Sequence, residues 1–143
     1  MPPSPPPIPE GFGPHFRRSR VTDPWEPLLS RVTPEAVQIG LVLSEAHCNS
    51  RGFVHGAVIA ALADNAMGLS YLQVLRAARP EAAPGGAVTL SLNVDYAATA
   101  RAGQWLQVAP RVIRAGGGIG FVDALVTADD GVAARASAVF RAV

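Results

Sequence analysis

Between His47 and Gly68 the chain reads HCNSRGFVHGAVIAALADNAMG, and a single carboxylate, Asp64, interrupts an otherwise apolar run. Burying a charged carboxylate is costly unless it is paired or hydrogen-bonded, and burial itself favours the neutral acid. An acid in such a run therefore either caps a neighbouring group or performs acid–base chemistry. Ahead of it lie Asn49, His55 and Gly56, in a polar loop that feeds the apolar segment. Asn49 could close a turn through its side chain, a common duty for Asn before Gly-containing loops. His55 is placed to position the loop or to cap the apolar segment. His47 reads as structural, and two loop histidines without further ligands make a weak metal site, so no metal is expected. Cys48 and His47 are adjacent, and adjacent side chains rarely align as nucleophile and base.

The element that carries Asp64 must be a helix. Residues 58–75 are mostly Ala, Leu, Ile, Val and Met with no internal proline, which predicts a helix starting near His55-Gly56. Apolar residues occupy nearly every direction around its wheel, so the helix should be enclosed and Asp64 should point into protein. Elsewhere the period is two. Residues 36–43 alternate, and residues 88–96 do so most sharply, with Val88, Leu90, Leu92, Val94 and Tyr96 on one face and Thr89, Ser91, Asn93 and Asp95 on the other. Further strands are expected over 104–114, 119–128 and 132–141, the last two joined by Asp129-Asp130-Gly131, a hairpin signal. Pro110 marks a bulge or an edge position, and Gly116 to Gly118 reads as a turn between strands. Residues 25–31 form a short amphipathic piece.

This order, strand, long helix, then consecutive strands, predicts an α+β fold whose antiparallel curved sheet wraps one helix. Such a sheet leaves its edges incompletely covered, and pairing of two edges across a homodimer is the economical remedy. Residues 1–15, MPPSPPPIPEGFGPH, are expected as a flexible proline-rich tail, and 16–143 as one domain. With 143 residues, 49% hydrophobic and 16% charged, the chain can bury one respectable core. Twelve Lys+Arg against eleven Asp+Glu, scattered apart from Arg17, Arg18 and Arg20, leave no nucleic-acid footprint. Asp64 and Asn65 interrupt the longest apolar run, which argues against a membrane span, and the prolines at the N-terminus do not resemble a signal peptide. A cytoplasmic location is expected, and a single cysteine forms no intrachain disulfide.

The string His47-x-Asn49-x-x-Gly52-x-x-His55-Gly56-Ala57, followed by Leu62-Ala63-Asp64, resembles the hotdog-fold acyl-CoA thioesterases of the phenylacetate-pathway (PaaI-like) type. The 88–96 strand and the Ala102-Gly103 turn extend the likeness over roughly residues 25–142. The resemblance implies a hotdog fold, a curved antiparallel sheet of about five to six strands around one long central helix, in a dimer or a dimer of dimers. It implies hydrolysis of an acyl-CoA at a site between two subunits, with coenzyme A as part of the substrate and no separate cofactor. In that setting the Gly56 N–H is the oxyanion donor and Asn49 orients water or the thioester. Asp64, from the partner subunit, is general base or nucleophile, and Thr89 matches a Ser or Thr that helps hold the water. His55, Ala57, Met67, Gly68, Gly117 and Gly118 are the implied substrate contacts. Two departures stand out. Ala57 replaces the second glycine of the family's usual His-Gly-Gly, and Gly116 to Gly118 replaces a turn in which relatives often carry a Lys or Arg near the coenzyme A phosphates. Arg111, Arg114 or the Arg17 to Arg20 cluster are the candidates to take over that contact. The alternatives are a non-catalytic acyl-CoA binding protein and a hotdog-fold hydratase or dehydratase, which pairs a catalytic His with an acid in a different signature.

Overall fold

The computed structural model describes residues 3–116 and 118–143. Helix α1 (Gly56–Ala78) begins at the expected junction, where the extended His55 accepts the Ala57 N–H on its Nδ1 at 3.0 Å. Seven strands, β1 (Gly13–Pro14), β2 (Leu29–Val32), β3 (Val37–Val42), β4 (Ala87–Tyr96), β5 (Trp105–Ala115), β6 (Ile119–Ala128) and β7 (Gly131–Ala142), form one sheet in the order β1-β2-β3-β5-β6-β7-β4. Every pairing is antiparallel. The sheet curves around α1, as a hotdog fold requires, with slightly more strands than the five to six expected. The additional ones lie at the N-terminal side. The amphipathic piece resolves into a 3-10 turn (Asp23–Trp25) and β2, and Gly13 and Pro14 pair with Ser30 and Leu29 of β2. Pro14 is tolerated because β1 is an outer edge, where one side of the strand needs no donor.

Pro110 sits in an interior strand, yet behaves as an edge residue. The β3–β5 ladder stops at Ile39↔Val108, two residues before Val37 would face Pro110, which has no N–H to give. The helix fills that gap. The Ser70 hydroxyl accepts the Val37 N–H at 2.9 Å and lies 3.2 Å from the Val37 carbonyl, while donating to the Ala66 carbonyl at 2.7 Å. Around this anchor the core forms from Leu62, Ala63, Ala66, Met67 and Tyr71 of α1 against Ile39, Leu41, Leu106, Val108, Val126 and Phe140. Tyr71 lies so close over Gly120 that no side chain fits there, and its hydroxyl donates to the Gly116 carbonyl at 2.9 Å.

Length and composition alone would allow α1 to cross a membrane, but here it is the central element of the core. Its enclosure is incomplete within one chain. Ala57, Ala60, Ala61, Asp64 and Gly68, spaced along one helical stripe, are not fully buried, so Asp64 is half-buried rather than sealed in the interior. Beside that stripe, β4 ends the sheet with Val88, Leu90, Leu92 and Tyr96 exposed at 48%, 51%, 38% and 52%.

Two consequences of this packing are measurable. Ser70→Ala leaves the buried Val37 amide without a partner and should cost about 1–3 kcal/mol in denaturant unfolding. His15 is the second case: burial holds its imidazole below the ordinary 6.5, with Glu26 opposing the shift and Arg17 adding to it. The unfolded chain then binds more protons than the folded one at acid pH, so stability is lost as pH falls below 6.5. In His15→Gln, the fall in unfolding midpoint between neutral and mildly acidic buffer should be smaller than in the parent.

Candidate active site

The loop before α1 is held from several sides. His47 is buried; its Nδ1 accepts the Ser44 N–H at 2.9 Å and its Nε2–H donates to the Trp25 carbonyl at 2.9 Å, which fixes the ring and its tautomer. Asn49 Oδ1 accepts the N–H groups of Arg51 at 2.9 Å and Phe53 at 3.2 Å, so the side chain closes the turn. That use spends only the oxygen. The Asn49 Nδ2 group still has two protons to donate. At the helix start the peptide between Gly56 and Ala57 is gripped at both ends, its N–H by His55 Nδ1 and its C=O by the Tyr96 hydroxyl at 2.5 Å. Partial burial pushes the Tyr96 phenol above its ordinary value, which keeps it protonated and donating. Among the described residues the Gly56 N–H has no acceptor, and it stands at the positive end of a 23-residue helix. A carbonyl oxygen gaining charge is the kind of acceptor such a donor stabilises.

Two turns further along, Thr89 Oγ1 donates to Asp64 Oδ1 at 2.7 Å. Strict alternation along β4 would have turned Thr89 away from the face that carries Tyr96. A bulge prevents this: Thr89 faces Phe140, but Ser91 faces Val139, so Leu90 is the extra residue. Directly opposed residues share a face, and Phe140 is buried against α1. Thr89 therefore joins Leu92, Val94 and Tyr96 on the helix side. Asp64 and Thr89 open into a cavity of about 210 Å³, lined also by Arg17, Asn65, Gly68, Leu69, Leu72, Ala87 and Phe140.

Of the residues singled out from sequence, Asp64, Thr89 and Gly68 meet at this cavity, His55, Gly56 and Ala57 lie at the helix start, and Asn49 sits in the loop before it, opposite Phe53. Met67 is fully buried in the core and does not line the cavity. Gly118 lies in the β5–β6 turn, also outside the cavity lining, and Gly117 is outside the described residues. No cluster of three or more His, Cys, Asp or Glu residues suited to a metal ion occurs among the described residues. Tyr96 joins the site without a signal of its own in the residue pattern, and Arg17, expected as one of the candidate contacts to the coenzyme A phosphates, instead lines the cavity beside Asp64. Gly56 was the available signal for Tyr96, since a Cβ there would stand 3.2 Å from the phenol.

The two groups stand at different points along one helix. Eight residues of helix separate Gly56 from Asp64, about 12 Å along the axis at 1.5 Å per residue. An oxyanion donor and a base serving the same carbonyl must each come within about 3 Å of the reacting atoms.

Residues 51–134 match the family model described as Thioesterase superfamily. The chain is 34% identical over 135 residues, 94% of its own length and 96% of the relative's, to the protein PA0474 of Pseudomonas aeruginosa, named as a candidate esterase. Among solved structures, it is similar to smu.793 of Streptococcus mutans bound to acetyl CoA, with TM-score 0.66, 24% identity and coverage of 76% and 82% of the two chains. It is also similar to the E. coli PaaI protein of the phenylacetic acid degradation operon, with TM-score 0.66, 16% identity and coverage of 76% and 73%.

The grip on the helix start can be tested without a substrate. Tyr96→Phe should cost about 0.5–1.5 kcal/mol of local stability and speed amide exchange at Ala57 and Val58 relative to the middle of α1. Unchanged exchange there would mean that the phenol does not hold the peptide.

Proposed function

Since the chain belongs to the thioesterase superfamily, we propose that it hydrolyses the thioester of an acyl- or aryl-CoA to the free acid and coenzyme A, at a site shared by two copies of the chain. The observation that carries this reading is the division along α1: an unspent amide at Gly56 and a Thr89-held carboxylate at Asp64, too far apart for one chain to use on one carbonyl. A second copy supplies the missing half. The long open edge of β4, with its exposed apolar side chains, is suited to pairing with its own copy, and that pairing also covers the stripe of α1 that carries Asp64.

In the joint site the thioester carbonyl lies against the Gly56 N–H of one subunit, with the Asn49 amide donating nearby. Asp64 of the other subunit takes a proton from water as the water oxygen bonds to the carbonyl carbon, and passes it to the sulfur as the C–S bond breaks; alternatively, the carboxylate attacks that carbon itself, giving a mixed anhydride that water then cleaves to the free acid, with a proton from that water going to the thiolate. Both routes build charge on the carbonyl oxygen, where the Gly56 donor acts, and both end with the free acid and with coenzyme A as the thiol. The Thr89 O–H holds Oδ1, which fixes the carboxylate and leaves Oδ2 toward the reacting atoms. Removing one oxyanion donor from such sites typically costs about 10²–10³ in kcat. A hydratase needs a histidine base beside an acid. Here His47 has both ring nitrogens hydrogen-bonded and His55 spends Nδ1 on the helix cap, which favours hydrolysis.

Thiol release across short, long and aryl acyl-CoAs tests the proposal; no release from any of them would overturn it. Asp64→Asn keeps the size of the side chain and its bond from Thr89 but is a far weaker base, so turnover should fall by about 10³-fold or more with the assembly intact by light scattering. Undiminished turnover would make the carboxylate structural.

A further inference from the structure

The cavity beside Asp64 carries a cation that thioester hydrolysis does not require. Arg17 reaches its lining from the N-terminal arm, far away in sequence from the helix and sheet residues that form the rest. The path of the arm is fixed on both sides of Arg17. The His15 N–H donates to the Leu28 carbonyl at 3.0 Å, and Thr22 is buried, with its hydroxyl 3.0 Å from Ser19 Oγ. Neighbouring Arg18 is paired with Asp23 at 3.5 Å, whereas among the described residues the Arg17 guanidinium has no hydrogen-bond or ion-pair partner. The cavity holds a second unspent polar group, the Asn65 amide, whose Oδ1 is buried without a partner. A plain alkyl chain in this cavity gives the Arg17 guanidinium nothing to bind, whereas an acyl group with an anionic end does.

The volume indicates what kind of group enters. The part of the cleft that one chain forms, about 210 Å³, has room for a short acyl chain. Resting on the hydrolase reading above, we propose that this cavity selects short acyl groups ending in a carboxylate, with Arg17 as the specificity residue. The guanidinium takes the terminal carboxylate, by two parallel N–H bonds where the geometry allows, and offsets the repulsion that Asp64 exerts on a second anion. Arg17 takes no part in bond making, so its effect is on which acyl group binds.

The test compares glutaryl-CoA with valeryl-CoA, equal in chain length and differing in the terminal carboxylate. The parent enzyme should prefer the acidic substrate in kcat/KM, and Arg17→Gln should lower that ratio by about 10-fold or more, the size expected for a charge-assisted hydrogen bond. Arg17→Lys should retain part of the preference, and Arg18→Gln should leave the ratio in place. A parent preference for valeryl-CoA, or an Arg17→Gln loss shared equally by both substrates as a phosphate contact would give, overturns the inference. Calorimetric binding of the same pair to Asp64→Asn, with and without Arg17→Gln, reads recognition apart from turnover. Discrimination in binding without hydrolysis by the parent would sink the hydrolase reading alone; equal binding would sink the specificity role of Arg17.

Discussion

The rise of an α-helix sets the terms for everything else in this molecule. Gly56 and Asp64 are fixed to one rigid rod, about 12 Å apart along its axis, and no side-chain motion brings an amide at one point to a carboxylate at the other. Each end is nevertheless finished with care. The Gly56 peptide is gripped by His55 and Tyr96, and Asp64 is held by Thr89. Two half-sites on one helix make chemical sense when another copy of the helix lies alongside in the opposite sense, so that each carboxylate meets the other chain's helix start.

The sheet serves that arrangement by what it leaves uncovered. It wraps most of α1 and closes its own irregularity at Pro110 with the Ser70 hydroxyl, yet β4 ends it with a ten-residue apolar edge next to the stripe that carries Asp64. Exposed edges of this length are normally blunted or paired. The N-terminal arm covers a different flank, bringing Arg17 to the cavity that continues from Asp64. In the proposed reading the chemistry and its selectivity come from separate parts of the chain.

Much of the fold is legible in the sequence because its periods are regular. Apolar spacing and turn residues point directly to the helix, the alternating strand at β4 and the Asp129 hairpin, and Asp129 does adopt the positive φ that such a turn asks for. The illegible parts depend on partners distant in sequence. β1 and β2 lie in stretches rich in proline or too short to show a period, and β-pairing there depends on Leu29 and Ser30 meeting residues far upstream. The bulge at Leu90 is invisible because the alternation of residue types continues straight through it, although one extra residue reverses which side chains face the helix. The acid in an apolar run points to Asp64 but not to Tyr96, which reaches the site from β4, and the arginine cluster points to a phosphate contact rather than to the place of Arg17 beside Asp64. Asn49 closes its turn and keeps a free amide group, so the two duties considered for it are compatible.

The most direct measurement is complementation between two inactive variants. Asn49→Asp retains the oxygen that closes the loop but loses the amide donor, and Asp64→Asn loses the base. Mixed, unfolded and reassembled in equal amounts, half of the dimers should contain one of each chain, and each of these has one of its two sites intact. Activity should then return to about one quarter of the parent value per subunit, from near zero for either variant alone. No recovery in a mixture shown to contain mixed dimers would contradict a site shared between chains.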